Sequence, residues 1–232
     1  MVIAMFTVLF SFGQIHSGKI VYERKTNLLK RFDDPRMKRF VNEDNKIKTE
    51  KFVLFFNDTC SAFKPILTNE QDPTSWMTTK NSYFLNENQN EKMSILALFG
   101  QDVFIKDTLP QRAWKITDSK RKISGYQCRK AIYQKDDSTR LYAWFTVDIV
   151  PTMGPEGFNG LPGAILGLAT EDGGIIYFAK TVEELKPSVE DLSYKLGKNK
   201  VFTMNEFKEK VEKDYGNQPW GKRIFADLFR WL

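Results

Sequence analysis

The sequence predicts a mainly β fold with some helix (α+β): a curved antiparallel sheet or incomplete barrel covered by a C-terminal helix. Three observations carry this. The segments "KFVLFFN" (51–57) and "TRLYAWFTVDIV" (139–150) are rich in β-branched and aromatic residues and apolar on both faces, so each strand needs cover on two sides. Turn signals recur between such segments from Val103 onward, as expected of a meander. Near the C-terminus the apolar period changes from two to that of a helix.

"GKIVYERKT" (18–26) predicts a first strand, with Ile20 and Tyr22 on one face. Residues 27–46 are charged and irregular, and "KFVLFFN" supplies a second, central strand. The polar tract 68–92, rich in Asn, Gln, Glu and Thr, lacks periodicity. It predicts a long loop whose shortening leaves the fold intact. "DVFIKDTL" leads into "AWKITDSKRKISGYQCRKAIYQ", in which Trp114 and Ile116 share a face across a turn from Tyr126, Cys128 and Ile132. "DDS" (136–138) is a polar turn. The next strand places Leu141, Ala143, Phe145, Val147 and Ile149 on one side, with Tyr142, Trp144, Thr146 and Asp148 on the other. "EDGG" (171–174) is a hairpin signal between "AILGLAT" and "IIYFAKTV". A helix over 203–216 opens on a capping box of Thr203 and Glu206, carries a stripe of Met204, Phe207 and Val211, and stops at Gly216. The amphipathic "WGKRIFADLFRWL" after it either packs on the sheet or docks on a membrane surface or partner.

Composition narrows the function classes. The chain has 232 residues, 41% apolar and 14% aromatic, enough for one domain with a proper core. Its 19 Phe suit a β-rich interior. A net charge of +6, from 35 basic and 29 acidic residues, is modest, and no nucleic-acid recognition motif accompanies it. The apolar run Val2–Phe12 is too short to span a bilayer. Ser11 and Gly13 have the spacing a signal peptidase accepts, which predicts a signal over 1–13 and a single mature domain over 14–232. A buried N-terminal strand is the alternative. No transmembrane helix is expected in the mature chain.

The catalytic inventory is thin. His16 is the sole histidine, and no Gly-x-Ser-x-Gly elbow, Walker loop or dinucleotide fingerprint is present. The carboxylate pairs Asp136–Asp137 and Glu183–Glu184 fall in a turn and at a strand end, where they serve as solvated charge. No catalytic residues and no cofactor are therefore assigned. Cys60 and Cys128 are the two cysteines; in an exported protein a lone pair predicts a disulfide, against the alternative of two buried thiols. Cleavage after Gly13 would give a mature start Gln14-Ile15-His16, whose amine, two amides and imidazole suit Cu(II) or Ni(II). The alternative is a histidine that merely falls in a terminus.

"GPEGFNGLPGAILGL" (154–168) concentrates glycine at a spacing of three, with Gly154, Gly157, Gly160 and Gly163 flanking Pro155 and Pro162. Three Gly-X-Y units cannot hold a collagen helix, and an anion nest leads into a helix, whereas this loop leads into a strand. It predicts a rigid corner, or a backbone surface at Gly154, Pro155, Gly160, Leu161, Pro162 and Gly163 presented to a ligand or partner.

"KRKISGYQCRKA", "LYAWFTVDIVPTMGPEGFNGLPGAILGL" and the returning strand together resemble the GLPGLI family, exported proteins largely of Bacteroidetes bacteria, from about Lys120 to Leu185. The family motif stands here as "GLPGAI" (160–165), with Ala164 in place of the usual Leu. The resemblance implies a periplasmic, secreted or outer-membrane-associated location and no established activity. Aromatic load without catalytic groups then suggests a non-enzymatic binding protein that holds an apolar or peptide-like ligand in the concave sheet, lined by Tyr142, Trp144 and Phe145. The alternative is an accessory subunit docking on an outer-membrane transporter or secretion complex through the Gly-Pro corner and the terminal "FADLFRWL".

Overall fold

The computed structural model describes residues 13–31, 40–68, 72, 74–98, 100–136 and 139–218. Most of the signal segment, the terminal "FADLFRWL" and most of the 136–138 turn lie outside these residues.

The chain forms β1 (Gly18–Asn27), a single turn α1 (Leu28–Arg31), β2 (Ile47–Phe56), β3 (Cys60–Pro65), β4 (Ser82–Asn86), β5 (Glu91–Leu98) and β6 (Gln101–Thr108). It continues through β7 (Trp114–Ile123), β8 (Tyr126–Gln134), β9 (Arg140–Thr146), β10 (Ala164–Thr170), β11 (Ile175–Glu184), β12 (Val201–Phe202) and α2 (Met204–Tyr215). The described strands join one open sheet, in the order β12-β6-β5-β4-β3-β2-β1-β11-β10-β9-β8-β7. Every pairing is antiparallel except β12 with β6. The sheet is curved and mainly β with one C-terminal helix, as the sequence predicts. Its far end curls inward, and the Ser124 hydroxyl in the β7–β8 turn donates to the Ala179 carbonyl of β11 at 2.7 Å.

Curvature brings two runs of side chains face to face. Ile20, Tyr22, Phe52, Leu54, Phe56, Phe63 and Tyr83 come from one half of the sheet; Leu141, Ala143, Phe145, Leu168 and Tyr177 come from the other. Phe52 and Phe63 stack with centroids 5.0 Å apart, and Tyr177 meets Phe52 edge-on at 5.7 Å. Side chains of this size each contribute about 1.5–3 kcal/mol when fully buried. β10 is buried along its whole length, which explains why "AILGLAT" has no polar face.

The other face is covered piecemeal. α2, capped reciprocally by Thr203 and Glu206, lays Phe207 and Val211 on Leu96 of β5 and Ile105 of β6. The irregular stretch before β12 lays Leu192, Tyr194 and Leu196, and β12 itself lays Val201, on Ala62, Phe84, Met93 and Phe104.

The polar tract 68–92 corrects the sequence reading. It is not a loop throughout: it contains all of β4 and the start of β5, in the middle of one half of the sheet. β4 has only five residues and buries Tyr83, Phe84 and Leu85 between its polar ends, so its apolar part is too short to establish a period. β5 begins Glu91-Lys92, and Lys92 is a charged residue in a buried strand slot.

Candidate functional site

The glycine-rich loop after β9 closes tightly against that strand. Gly163 sits at φ +123°, and a Cβ there would lie 2.0 Å from the Thr146 carbonyl oxygen, so only glycine lets the loop close against the end of β9. The loop then turns into the molecule. Gly154, Pro155, Glu156, Gly157, Phe158 and Asn159 are all buried, as are Leu161 and Gly163, whereas Gly160 and Pro162 are exposed. The corner is close-packed, but the surface proposed from sequence for a partner is mostly turned inward; a strand-to-strand connection rich in apolar residues fills the space between the two halves of the sheet.

At its tip the loop delivers a carboxylate. Glu156 has φ 55°, a left-handed conformation uncommon outside glycine, and is 1% exposed. Its Oε1 accepts the Tyr177 hydroxyl, and Arg24 Nη1 lies 3.9 Å away. Its Oε2 is buried without a hydrogen-bond partner. Burial raises its pKa above the ordinary carboxylate range, opposed by the Arg24 charge, by Tyr177 and Tyr83, and by Lys92. Lys92 is fully buried, with its amine 5.1 Å from the centre of the Tyr83 ring. Burial, reinforced by the Arg112 charge, pushes it down to about 7. Arg112 itself is pushed down to about 10 by burial; it stacks over Phe158 at 4.3 Å and donates to Asn159 Oδ1 at 2.6 Å.

Arg24 links this centre to the surface. It occupies the inward face of β1 in line with Ile20 and Tyr22, where the guanidinium lies over Phe52 at 4.7 Å. Its Nη2 and Nε donate to Glu50 Oε2 at 2.5 and 3.2 Å, Nη2 to the Thr79 carbonyl at 2.8 Å, and Nη1 to the Tyr177 hydroxyl at 3.2 Å. Burial works against this charge, but Tyr177, Glu50 and Glu156 outweigh it and raise the pKa further. Glu50 Oε1 accepts the Thr78 hydroxyl at 2.9 Å and lies 3.9 Å from Lys80 Nζ. Charges therefore alternate from Lys80 through Glu50 and Arg24 to Glu156.

Glu50 also lines an open cleft of about 980 Å³, together with Thr49, Lys51, Phe52, Pro65, Lys80 and neighbours. Its walls mix apolar side chains with charges of both signs, and its floor is held by the Arg24 network.

The remaining sequence-derived residues are dispersed. Phe145 points into the core, whereas Tyr142 and Trp144 lie half-buried on the opposite face of β9, so the three do not line one concavity. Lys130 covers the Tyr142 ring at 3.7 Å and Arg121 lies 5.5 Å from the Trp144 ring, while the Tyr142 hydroxyl donates to Glu171 at 2.8 Å. The predicted disulfide is absent: Cys60 and Cys128 are both free thiols. Cys60 starts β3 and Cys128 is buried in β8, well apart in the strand order, and burial pushes the Cys128 thiol up to about 12. The proposed N-terminal metal atoms have other partners. The Ile15 N–H donates to the Asp148 carbonyl at 2.9 Å, and His16 Nδ1 contacts Asp58 Oδ1 at 2.7 Å. Among the described residues no three His, Cys, Asp or Glu side chains gather as a metal site.

Sequence reasoning missed Arg24, Glu50, Lys92, Glu156 and Tyr177. One signal was present: Arg24 continues the alternation Ile20-Tyr22-Arg24 on a buried face, and a charge in such a slot needs a buried partner.

No family model and no curated protein matches the chain. Among solved structures, it is similar to PNGF-II in two crystal forms, P21 and C2, with TM-scores of 0.57 and 0.56 and identities of 16% and 17%. The match covers 86% of this chain and 34% and 33% of the other, so the chain spans about a third of that protein. At this identity the likeness is one of fold. An uncharacterized conserved protein from Thermus thermophilus aligns over 81% of this chain and 91% of its own, at 8% identity and a TM-score of 0.41. Among the described residues no helix is long and apolar enough to cross a membrane.

Proposed function

We propose that this protein is a non-enzymatic binding domain of the cell envelope that holds a peptide-like ligand in the open cleft beside β2. The observation that carries the reading is the cleft itself, about 980 Å³, with its charged floor fixed by Arg24 rather than free to rearrange. A purely apolar ligand suits it less well. Lys51, Lys80, Glu50 and Asp72 stand beside Phe52, Pro65 and Ile66 in the lining, a mixture that complements a peptide's backbone and side chains. The inner face of the sheet, where an apolar ligand was expected, is filled by the chain's own aromatic residues. The envelope location rests on the signal-like start and on the GLPGLI resemblance.

The test is binding of a pool of fluorescein-labelled eight-residue peptides built from Val, Thr, Phe, Asp, Glu and Lys, followed by anisotropy. Members of the pool should bind wild type and lose at least tenfold in affinity on Lys80→Glu. If no member binds, or if bound members ignore Lys80→Glu, the cleft is not the ligand site.

A further inference from the structure

β2 has ten residues, and β1 pairs with all of them, from Gly18↔Phe56 to Asn27↔Ile47. On its other side β3 pairs only with Phe52–Phe56, because β3 ends at Pro65. Proline cannot donate to a ladder and suits the place where a strand leaves a sheet. Ile47–Glu50 thus continue beyond their neighbour, and among the described residues no strand lies along that edge.

The direction of the backbone groups along this edge follows from two hydrogen bonds. Leu28 N–H donates to the Lys46 carbonyl at 2.7 Å, extending the β1 ladder through the even-numbered residues of this segment. Ile66 N–H donates to the Lys51 carbonyl at 2.9 Å, on the β3 side. In an antiparallel pair both main-chain groups of a residue point to the same neighbour, and the direction alternates residue by residue. Lys48 and Glu50 therefore face β1, and Ile47 and Thr49 face outward, on the side where the Ile66 N–H donates to the Lys51 carbonyl. Thr49 and Lys51 line the cleft.

We infer that the ligand binds as an added strand: an extended polypeptide segment pairs with the outer edge of β2 over Ile47–Glu50, presenting an acidic side chain to Lys51 and Lys80. This rests on the cleft being the ligand site. Four residues of strand extend about 13 Å at about 3.3 Å per residue, which sets the length of the pairing segment. Backbone pairing supplies affinity that is independent of sequence, and the two lysines supply preference for an acidic partner.

The experiment uses the same peptide pool and two perturbations of backbone pairing. N-methylation of alternate residues of a binding peptide, in either phase, removes donors from one of its edges. Thr49→Pro removes a donor from β2 while leaving the β1 ladder intact, and its melting temperature is measured beside Thr49→Ala to verify folding. One methylation phase should weaken binding at least tenfold and the other little, Thr49→Pro should do the same, and Thr49→Ala should change it less than threefold. Peptides that bind in a Lys80-dependent manner but tolerate both methylation phases overturn strand addition and leave the cleft reading standing. A failure of every peptide to bind overturns both. If Thr49→Pro does not fold, the methylation phases decide alone.

Discussion

Lys92 occupies a strand position that a sequence pattern assigns to an apolar residue, and its charge has consequences for pH dependence. Its pKa is about 7 in the folded protein against an ordinary 10.5, with burial as the main cause. Between these values the unfolded chain holds a proton that the folded chain has released, so stability rises with pH across that window and is flat on either side of it. Replacement by Met removes the titration and keeps most of the volume. Wild type should therefore gain melting temperature relative to Lys92→Met as pH is raised from about 7 towards 10.5, and the difference should be constant below about 6. Paired thermal scans across this range check it; parallel curves would mean that Lys92 keeps its ordinary pKa. Glu156 is its counterpart. It hangs from a left-handed residue in a loop that Gly163 allows to close, so backbone and charge are specified together.

At the scale of elements, the sequence disclosed those whose apolar pattern is long. β1, β2, the β7–β8 hairpin, β9, the β10–β11 hairpin and the capped α2 were legible because a sustained run of alternating or wholly apolar residues bounded by turn signals, or a cap with a stripe, outweighs local noise. β4 was illegible for the opposite reason: Tyr83, Phe84 and Leu85 lie inside a run of Asn, Gln and Glu, and only pairing with β3 and β5 makes them a strand. The site was harder still, because Arg24, Glu50, Glu156 and Lys92 come from four separate segments that the curvature of the sheet brings together. This changes what deletion does. Removing Ser82–Lys92 takes away β4 and the opening of β5, leaving β3 unpaired on one side, and should abolish cooperative unfolding. Circular dichroism during a thermal ramp checks this, and a sharp transition near the wild-type midpoint would contradict it.

For the whole molecule, β1 is the keystone. The strands from β1 to β6 form one continuous meander, those from β7 to β11 form another, and the two meanders share a hydrogen-bonded ladder only where β1 pairs with β11. Both meanders consist of neighbours in sequence, while the β1–β11 ladder joins residues as far apart as Gly18 and Glu184. Loop closure of that length is entropically costly, so each half gathers its hairpins quickly and the seam between them forms late. The connection at 109–113 contributes no strand to either half. Two polypeptides divided there and produced together should associate into a single folded species that elutes as a complex, whereas failure to co-elute would mean that the halves fold only as one chain. An unbroken sheet of this order has, in effect, a joint in time rather than in space: its two sides are made by short-range events, and the protein becomes one object at the moment β1 finds β11.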